Sequence, residues 1–327
     1  MTEPIRKVVV TWSGYRDRIL KRSGLEGYEH LEFLFSDDKD EIVSGLADAD
    51  AAFIAAWDAD MLTAASKLRW IHAIGGGVKD YLFPEMVESD IPFTCGKPAF
   101  SIPGAEFALG AMLMFSRRNH VTVGTPKLTQ RSPSQEAALR PVDLQGKTLG
   151  VLGMGGIGQT LAPRAKAMGM RVFGTTRRSR EVPDGVDRMY RADEAADMVA
   201  ESDFVAVAVP DTPETVGIVS EGLIAGMRRG AIILDCSGRT GLYDYGALER
   251  ALASGQVGGV CFQPAGDSPG MPPDDSEFWK RDNVVVSTCR GTSSEQEDLC
   301  IGLFFENLRR FESGQPLLGL VDKSAGY

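Results

Sequence analysis

Along this chain the apolar residues gather in short unbroken runs rather than alternating with polar ones. In the first hundred residues the runs are RKVVVTW, LEFLF, AAFIAAW, RWIHAI and IPFTC; further on come KTLGVLG, RVFGTT, DFVAVAV, AIILDCS, VGGVCF and NVVVST. Helical patterns separate them. Strands that are apolar on both faces belong to parallel sheets covered on each side by helices, so the pattern predicts an α/β chain of two doubly wound parallel-sheet units. No repeat at a solenoid period and no low-complexity tract interrupts it. The least regular piece, TPKLTQRSPSQEAALRPVDLQ (125–145), reads as a long surface connection of the kind that reaches a neighbouring subunit or covers a site.

Composition narrows the class. The 327 residues, 43% hydrophobic and 24% charged, suit two globular domains rather than one. Lysine and arginine number 35 against 45 acidic residues, a net charge of -10 with no basic block, which argues against nucleic acid or an anionic membrane as the main partner. The start MTEPIRKVVV carries no apolar leader and nowhere do 18 apolar residues run together, so the expectation is a cytoplasmic protein acting on a small molecule. Five cysteines, Cys95, Cys236, Cys261, Cys289 and Cys300, lack the CxxC spacing of a zinc or redox site; buried reduced thiols account for at least four of them, and no metal is expected.

The clearest motif is KTLGVLGMGGIGQTLAPRAKAMGMRVFGTTRRSR. A strand runs into Gly153, Gly155 and Gly158, with Met154, Gly156 and Ile157 between them, then a helix, then a second strand from about Arg171. Such glycines permit the tight turn, the approach of a pyrophosphate to the positive helix end, and close packing of helix on sheet. A purely structural glycine turn is the alternative. Between Gly153 and Arg180 there is no acidic residue to take ribose hydroxyls; instead the second strand ends in Thr175, Thr176, Arg177 and Arg178. Hydroxyls and guanidinium forks suit a 2'-phosphate, so NADP(H) is favoured over NAD. By the rule that open parallel sheets bind ligands at their C-terminal edge, Val209 and Pro210 should lie near the adenine or ribose, and Cys236 and Ser237 should flank the nicotinamide.

With LRWIHAIGGGVKDYL, GAEFALGAMLMFSRR, LQGKTLGVLGMGGIG, VPDTPETVGIVSEGLIAGMRRGAIILDCSGR and the ending ENLRRFESGQPLLGLVDKSAGY, the chain resembles, over nearly its whole length, the D-isomer-specific 2-hydroxyacid dehydrogenases. The likeness is to their NADPH-using glyoxylate and hydroxypyruvate reductase branch. The resemblance implies a flavodoxin-like substrate-binding domain from residues 1–103 and 297–327, with a Rossmann cofactor domain, 104–296, inserted between. It also implies an active site in the cleft and a homodimer through the cofactor domains. Amides of Gly76, Gly77 and Val78 would meet the substrate carboxylate. Trp57 would line the pocket, or simply support the core.

The resemblance further implies a catalytic arginine, histidine and glutamate. Arg239 matches the arginine. Gln263 stands for an aspartate that meets the nicotinamide carboxamide, and Ser268 for the glutamate, with the adjacent Asp267 able to take that role if the loop shifts by one residue. Cys289 stands where the histidine is expected. All three histidines precede the glycine motif: His72 reads as core, His30 and His120 as surface positions.

A cysteine has a pKa of about 8.5 against about 6.5 for histidine, so near neutral pH the thiol donates a proton less readily. Neighbouring Arg239 and Arg290 would favour the thiolate. Losing a positioned general acid costs about 10² to 10⁴ in rate. Three readings stay open: an NADPH-linked reductase of a 2-oxo acid or related carbonyl compound, with Cys289 or water as proton source; covalent thiol chemistry at Cys289 on an aldehyde or other electrophile; and an NADP(H)-binding sensor or interaction protein without ordinary turnover.

Overall fold

A computed structural model describes residues 3–21, 27–122, 139–177, 181–263, 271–287 and 294–327. They form two compact units, Met1–Phe100 with Thr292–Tyr327, and Ser101–Gly291. The first boundary falls where the helix Ser101–Ser116 begins, a few residues before 104, and the second just ahead of the helix Ser294–Glu312.

In the first unit β1 (Lys7–Val10), β2 (Glu32–Phe35), β3 (Ala51–Ile54), β4 (Trp70–Ala73) and β5 (Phe93–Cys95) form a parallel sheet in the order β2-β1-β3-β4-β5. This is the flavodoxin-like order. Alternate residues of β3 explain the unbroken apolar run. Ala51 and Phe53 pack with Trp70 and with Ile301, Phe304 and Leu308 of the helix Ser294–Glu312 on one face, while Ala52 and Ile54 pack with Ile42, Met61 and Met86 from three helices on the other. Phe304 stacks on Phe53 at 4.7 Å and on Trp70 at 5.0 Å between centroids. Asp38 and Asp58 start the helices Lys39–Leu46 and Ala59–Ala64 by accepting the amides of Glu41 and Met61.

The second unit carries β6 (Thr148–Leu152), β7 (Arg171–Thr176), β8 (Arg188–Arg191), β9 (Phe204–Val207), β10 (Ala231–Asp235), β11 (Val257–Phe262) and β12 (Val284–Val286), all parallel, in the order β12-β11-β10-β9-β6-β7-β8. Read from the other edge this is the Rossmann order with one strand added, and the reversal lies between β6 and β9. β8, with the sequence RMYR, has no apolar run and is the one strand among the described residues that the hydrophobic pattern does not predict. Its Tyr190 is buried against Phe173 while the arginines on either side are exposed, as an edge strand allows.

The most apolar helix, Ser101–Ser116, buries Ala105, Ala108, Ala111, Met112 and Phe115 in the core of this unit. It runs close to the helix Gly156–Ala167, so close that a Cβ on Gly104 would stand 2.9 Å from Ile157 Cδ1. Small residues at that crossing hold the glycine turn against a rigid support.

Candidate functional site

The turn that follows β6 uses each of its three motif glycines differently. Gly153 has a φ of +92°, and a Cβ there would stand 2.8 Å from the carbonyl oxygen of Ala208. A Cβ on Gly158 would stand 2.9 Å from the Gly153 carbonyl oxygen and 3.0 Å from Val151 Cγ1, which is the close packing of helix on strand. Gly155, by contrast, is the extended cap of the helix Gly156–Ala167 and has nothing within 4 Å of the place a Cβ would take. Open space therefore lies in front of it. The amides of Gly156, Ile157 and Gly158 in the first turn have no acceptor inside the helix, and together with that space they fit a pyrophosphate. Met154 and Ile157 contribute backbone here, since the Met154 side chain is buried and that of Ile157 packs on the same core.

β7 fixes the turn from one side. The Gly153 amide donates to Thr175 Oγ1 at 3.0 Å and the Met154 amide to the Thr175 carbonyl at 2.8 Å. Thr175 is 4% exposed. Its hydroxyl thus serves the turn, unlike the ligand-facing role that the sequence suggested for the hydroxyls at this strand end; Thr176 beyond it is half-buried and Arg177 exposed. Arg177 faces Glu214, whose carboxyl is held below its usual range first by the Thr212 side chain, with the arginine adding to the effect. Val209 and Pro210, both half-buried, follow β9, and the Pro210 carbonyl accepts from Thr215 Oγ1 at 2.6 Å.

At the end of β10, Cys236 is 4% exposed and Ser237 half-buried. Burial pushes the Cys236 thiol well above its ordinary pKa and that of Cys261 up to about 12. Arg239 is half-buried and precedes the short helix Thr240–Leu242. Gln263, also half-buried, follows β11. The signal missed in the sequence is the acid that closes AIILD. Asp235 is wholly buried, and burial raises its pKa to about 6.

In the first unit, the loop after β4 carries Gly76, Gly77 and Val78. Among the described residues no backbone group accepts from their three amides. A Cβ on Gly76 would stand 3.3 Å from Lys97 Cα, so the loop lies against that segment and side-chain-free residues suit it. The Val78 side chain is buried in the same core cluster as Trp57, which is 5% exposed. Both of these side chains serve packing. His72 is fully buried, with Nδ1 2.7 Å from Thr94 Oγ1, and burial lowers its pKa to about 3; it is a core residue. His30 is exposed, but His120 is half-buried on the Phe115 ring at 4.4 Å, not the surface position the sequence suggests.

Arg178, Asp267, Ser268, Cys289 and Arg290 lie outside the described residues. Cys95, Cys236, Cys261 and Cys300 are all buried free thiols. Among the described residues no group of histidine, cysteine and acidic side chains is placed to hold a metal ion.

Residues 109–291 match the family model for the D-isomer specific 2-hydroxyacid dehydrogenase, NAD binding domain. A glyoxylate reductase from Korarchaeum cryptofilum is 30% identical over 312 residues, covering 90% of this chain and 91% of the relative. A D-3-phosphoglycerate dehydrogenase from Methanocaldococcus jannaschii is 30% identical over 97% of this chain, but the chain spans only 59% of that protein's length. Among solved structures, an NADPH-dependent glyoxylate/hydroxypyruvate reductase from Sinorhizobium meliloti in complex with NADP and sulfate superposes with a TM-score of 0.81 at 26% identity, covering 98% of this chain and 99% of the other.

Proposed function

Because the chain belongs to the D-isomer specific 2-hydroxyacid dehydrogenase family, we propose that it is an NADP(H)-dependent oxidoreductase moving hydride between the nicotinamide and a small 2-oxo or 2-hydroxy acid, or a related carbonyl compound. The observation that carries this reading is the turn after β6: an open face at Gly155, backed by tight glycines, beside a strand that ends in a hydroxyl and arginines rather than an acid. NADPH supplies the hydride when bound.

Every other part falls to the chain. Arg239 holds the 2-oxo acid through its planar fork, and its charge stabilises the negative charge that develops on the carbonyl oxygen. The amides of Gly76, Gly77 and Val78 take the carboxylate, and the tightly packed Val78 and Trp57 side chains keep that loop in place. Cys289, or a water beside it, delivers the proton to the same oxygen. Gln263 hydrogen-bonds the nicotinamide carboxamide; Asp267 or Ser268 stands where a partner for the proton donor belongs. Thr176, Arg177 and Arg178 take the 2'-phosphate. In this reading the unit on β1 to β5 binds substrate, the unit on β6 to β12 binds cofactor, and two copies associate through the cofactor units in the cytoplasm.

The test is NADPH oxidation over a panel of small 2-oxo acids and aldehydes, wild type beside Cys289→Ser. We expect turnover that falls about 10²-fold or more in the variant. Unchanged turnover removes Cys289 from the chemistry. Saturable NADPH binding with no turnover of any substrate would overturn the reductase and leave the sensing role. Rapid alkylation of Cys289 together with aldehyde-only turnover would favour the covalent route.

A further inference from the structure

Asp235 ends β10 with no exposure to solvent, on a strand whose other residues, AIIL, are apolar. Burying a carboxylate is costly, so the contacts it makes call for an explanation. Its Oδ1 accepts from Ser237 Oγ at 2.6 Å and from the Ser237 amide at 3.2 Å. Ser237 Oγ in turn accepts from the Arg239 amide at 3.1 Å. The Gly238 amide also bears on the carboxylate, and Gly238 takes a φ of +65° that folds the chain over it.

The rest of this loop is held elsewhere. The Cys236 amide donates to the Val207 carbonyl at 3.0 Å. Beyond the arginine, the Gly217 amide donates to the Gly241 carbonyl at 3.0 Å, Val219 to Leu242 at 2.9 Å and Asp244 to Val219 at 3.1 Å. Among the described residues, then, the stretch from Ser237 to Arg239 depends on Asp235. From the other side, the hydroxyls of Tyr243 and Tyr245 and the thiols of Cys236 and Cys261 face the carboxylate. The Tyr243 hydroxyl bears on the carboxylate as a hydrogen-bonding neighbour, and among the described residues the Tyr245 hydroxyl meets no partner within hydrogen-bond geometry.

We propose that Asp235 is a positioning residue for Arg239: its buried carboxylate anchors Ser237, and Ser237 holds the backbone from which the guanidinium is aimed. The proposal rests on Arg239 as the group that orients the substrate. A carboxylate suits the task because it accepts the serine hydroxyl and amide together, and charge-assisted bonds are the stronger kind. An asparagine would keep an acceptor for Ser237 and offer its NH₂ to the tyrosines, whereas a leucine of similar size keeps neither.

The experiment compares wild type, Asp235→Asn, Asp235→Leu and Ser237→Ala. Amide hydrogen exchange in the full chain reads the anchor directly. Exchange in the peptide holding Ser237 to Leu242 should quicken about tenfold in Asp235→Leu and Ser237→Ala and stay near wild type in Asp235→Asn. Kinetics with glyoxylate and NADPH read the consequence: KM for glyoxylate should rise about tenfold in Asp235→Leu while NADPH affinity holds, and Asp235→Asn should keep KM near wild type. If Asp235→Leu does not fold, Ser237→Ala carries the exchange test. Wild-type exchange of that peptide in the folded variants overturns the anchor. Wild type that leaves glyoxylate untouched counts against the reductase reading instead, and the exchange result still decides whether Asp235 holds the loop.

Discussion

Single atoms separate the tasks of neighbouring residues in the turn after β6. A methyl group on Gly158 meets the Gly153 carbonyl oxygen at 2.9 Å, while one on Gly155 meets nothing within 4 Å. Gly158→Ala should therefore destabilise the fold by about 1–3 kcal/mol, and Gly155→Ala should leave the melting temperature nearly unchanged yet weaken NADPH binding. Thermal unfolding and cofactor titration on the two variants check this, and equal behaviour would contradict it. Asp235 gives a second residue-level prediction. Its pKa rises from 3.8 to about 6 on folding because burial disfavours the charge. The folded state therefore binds the proton more tightly, and this group's contribution to stability is fully present below about pH 4 and lost as pH rises through 6. Asp235→Asn removes that loss. In urea unfolding it should exceed wild type by on the order of 3 kcal/mol at pH 8 and converge with it toward pH 4; a constant gap would show that the carboxyl is not the cause.

Strands and turns show how far the sequence can be read. Every strand with an unbroken apolar run was legible, because burial on both faces leaves a mark in each successive residue. β8 was not, because RMYR buries one aromatic ring at a sheet edge and leaves its arginines in water. The glycine turn was legible because backbone geometry dictates residue type there, and Gly153 at +92° has few alternatives. Thr175 and Asp235 were not assigned their roles, since a hydroxyl at a strand end serves a ligand or a neighbouring amide equally well until the partner atom is located. The end of β7 carries its own prediction. Arg177→Ala should lower kcat/KM for NADPH about 10- to 100-fold, the worth of charge-assisted hydrogen bonds to a phosphate, while leaving NADH turnover nearly constant. Equal losses with both cofactors would place Arg177 elsewhere in the chemistry.

At the scale of the whole molecule, two parallel sheets of five and seven strands put glycine-bearing loops at their C-terminal edges: Gly76 and Gly77 after β4 in one unit, Gly153 and Gly155 after β6 in the other. The described cysteines are buried, with Cys300 pushed up to about 12 by burial, so these four thiols serve packing rather than reaction. Sequence sufficed for this architecture because it depends on the order of apolar runs, whereas the positions proposed for the proton donor and its partner, Cys289 and Ser268, lie outside the described residues. The most direct test of the account is the ratio of kcat/KM for NADPH to that for NADH in wild-type reduction of glyoxylate. A ratio of about 10 or more is expected from a site with arginines and no acid at the end of β7. A ratio at or below one, or oxidation of neither cofactor with any 2-oxo acid, would contradict it.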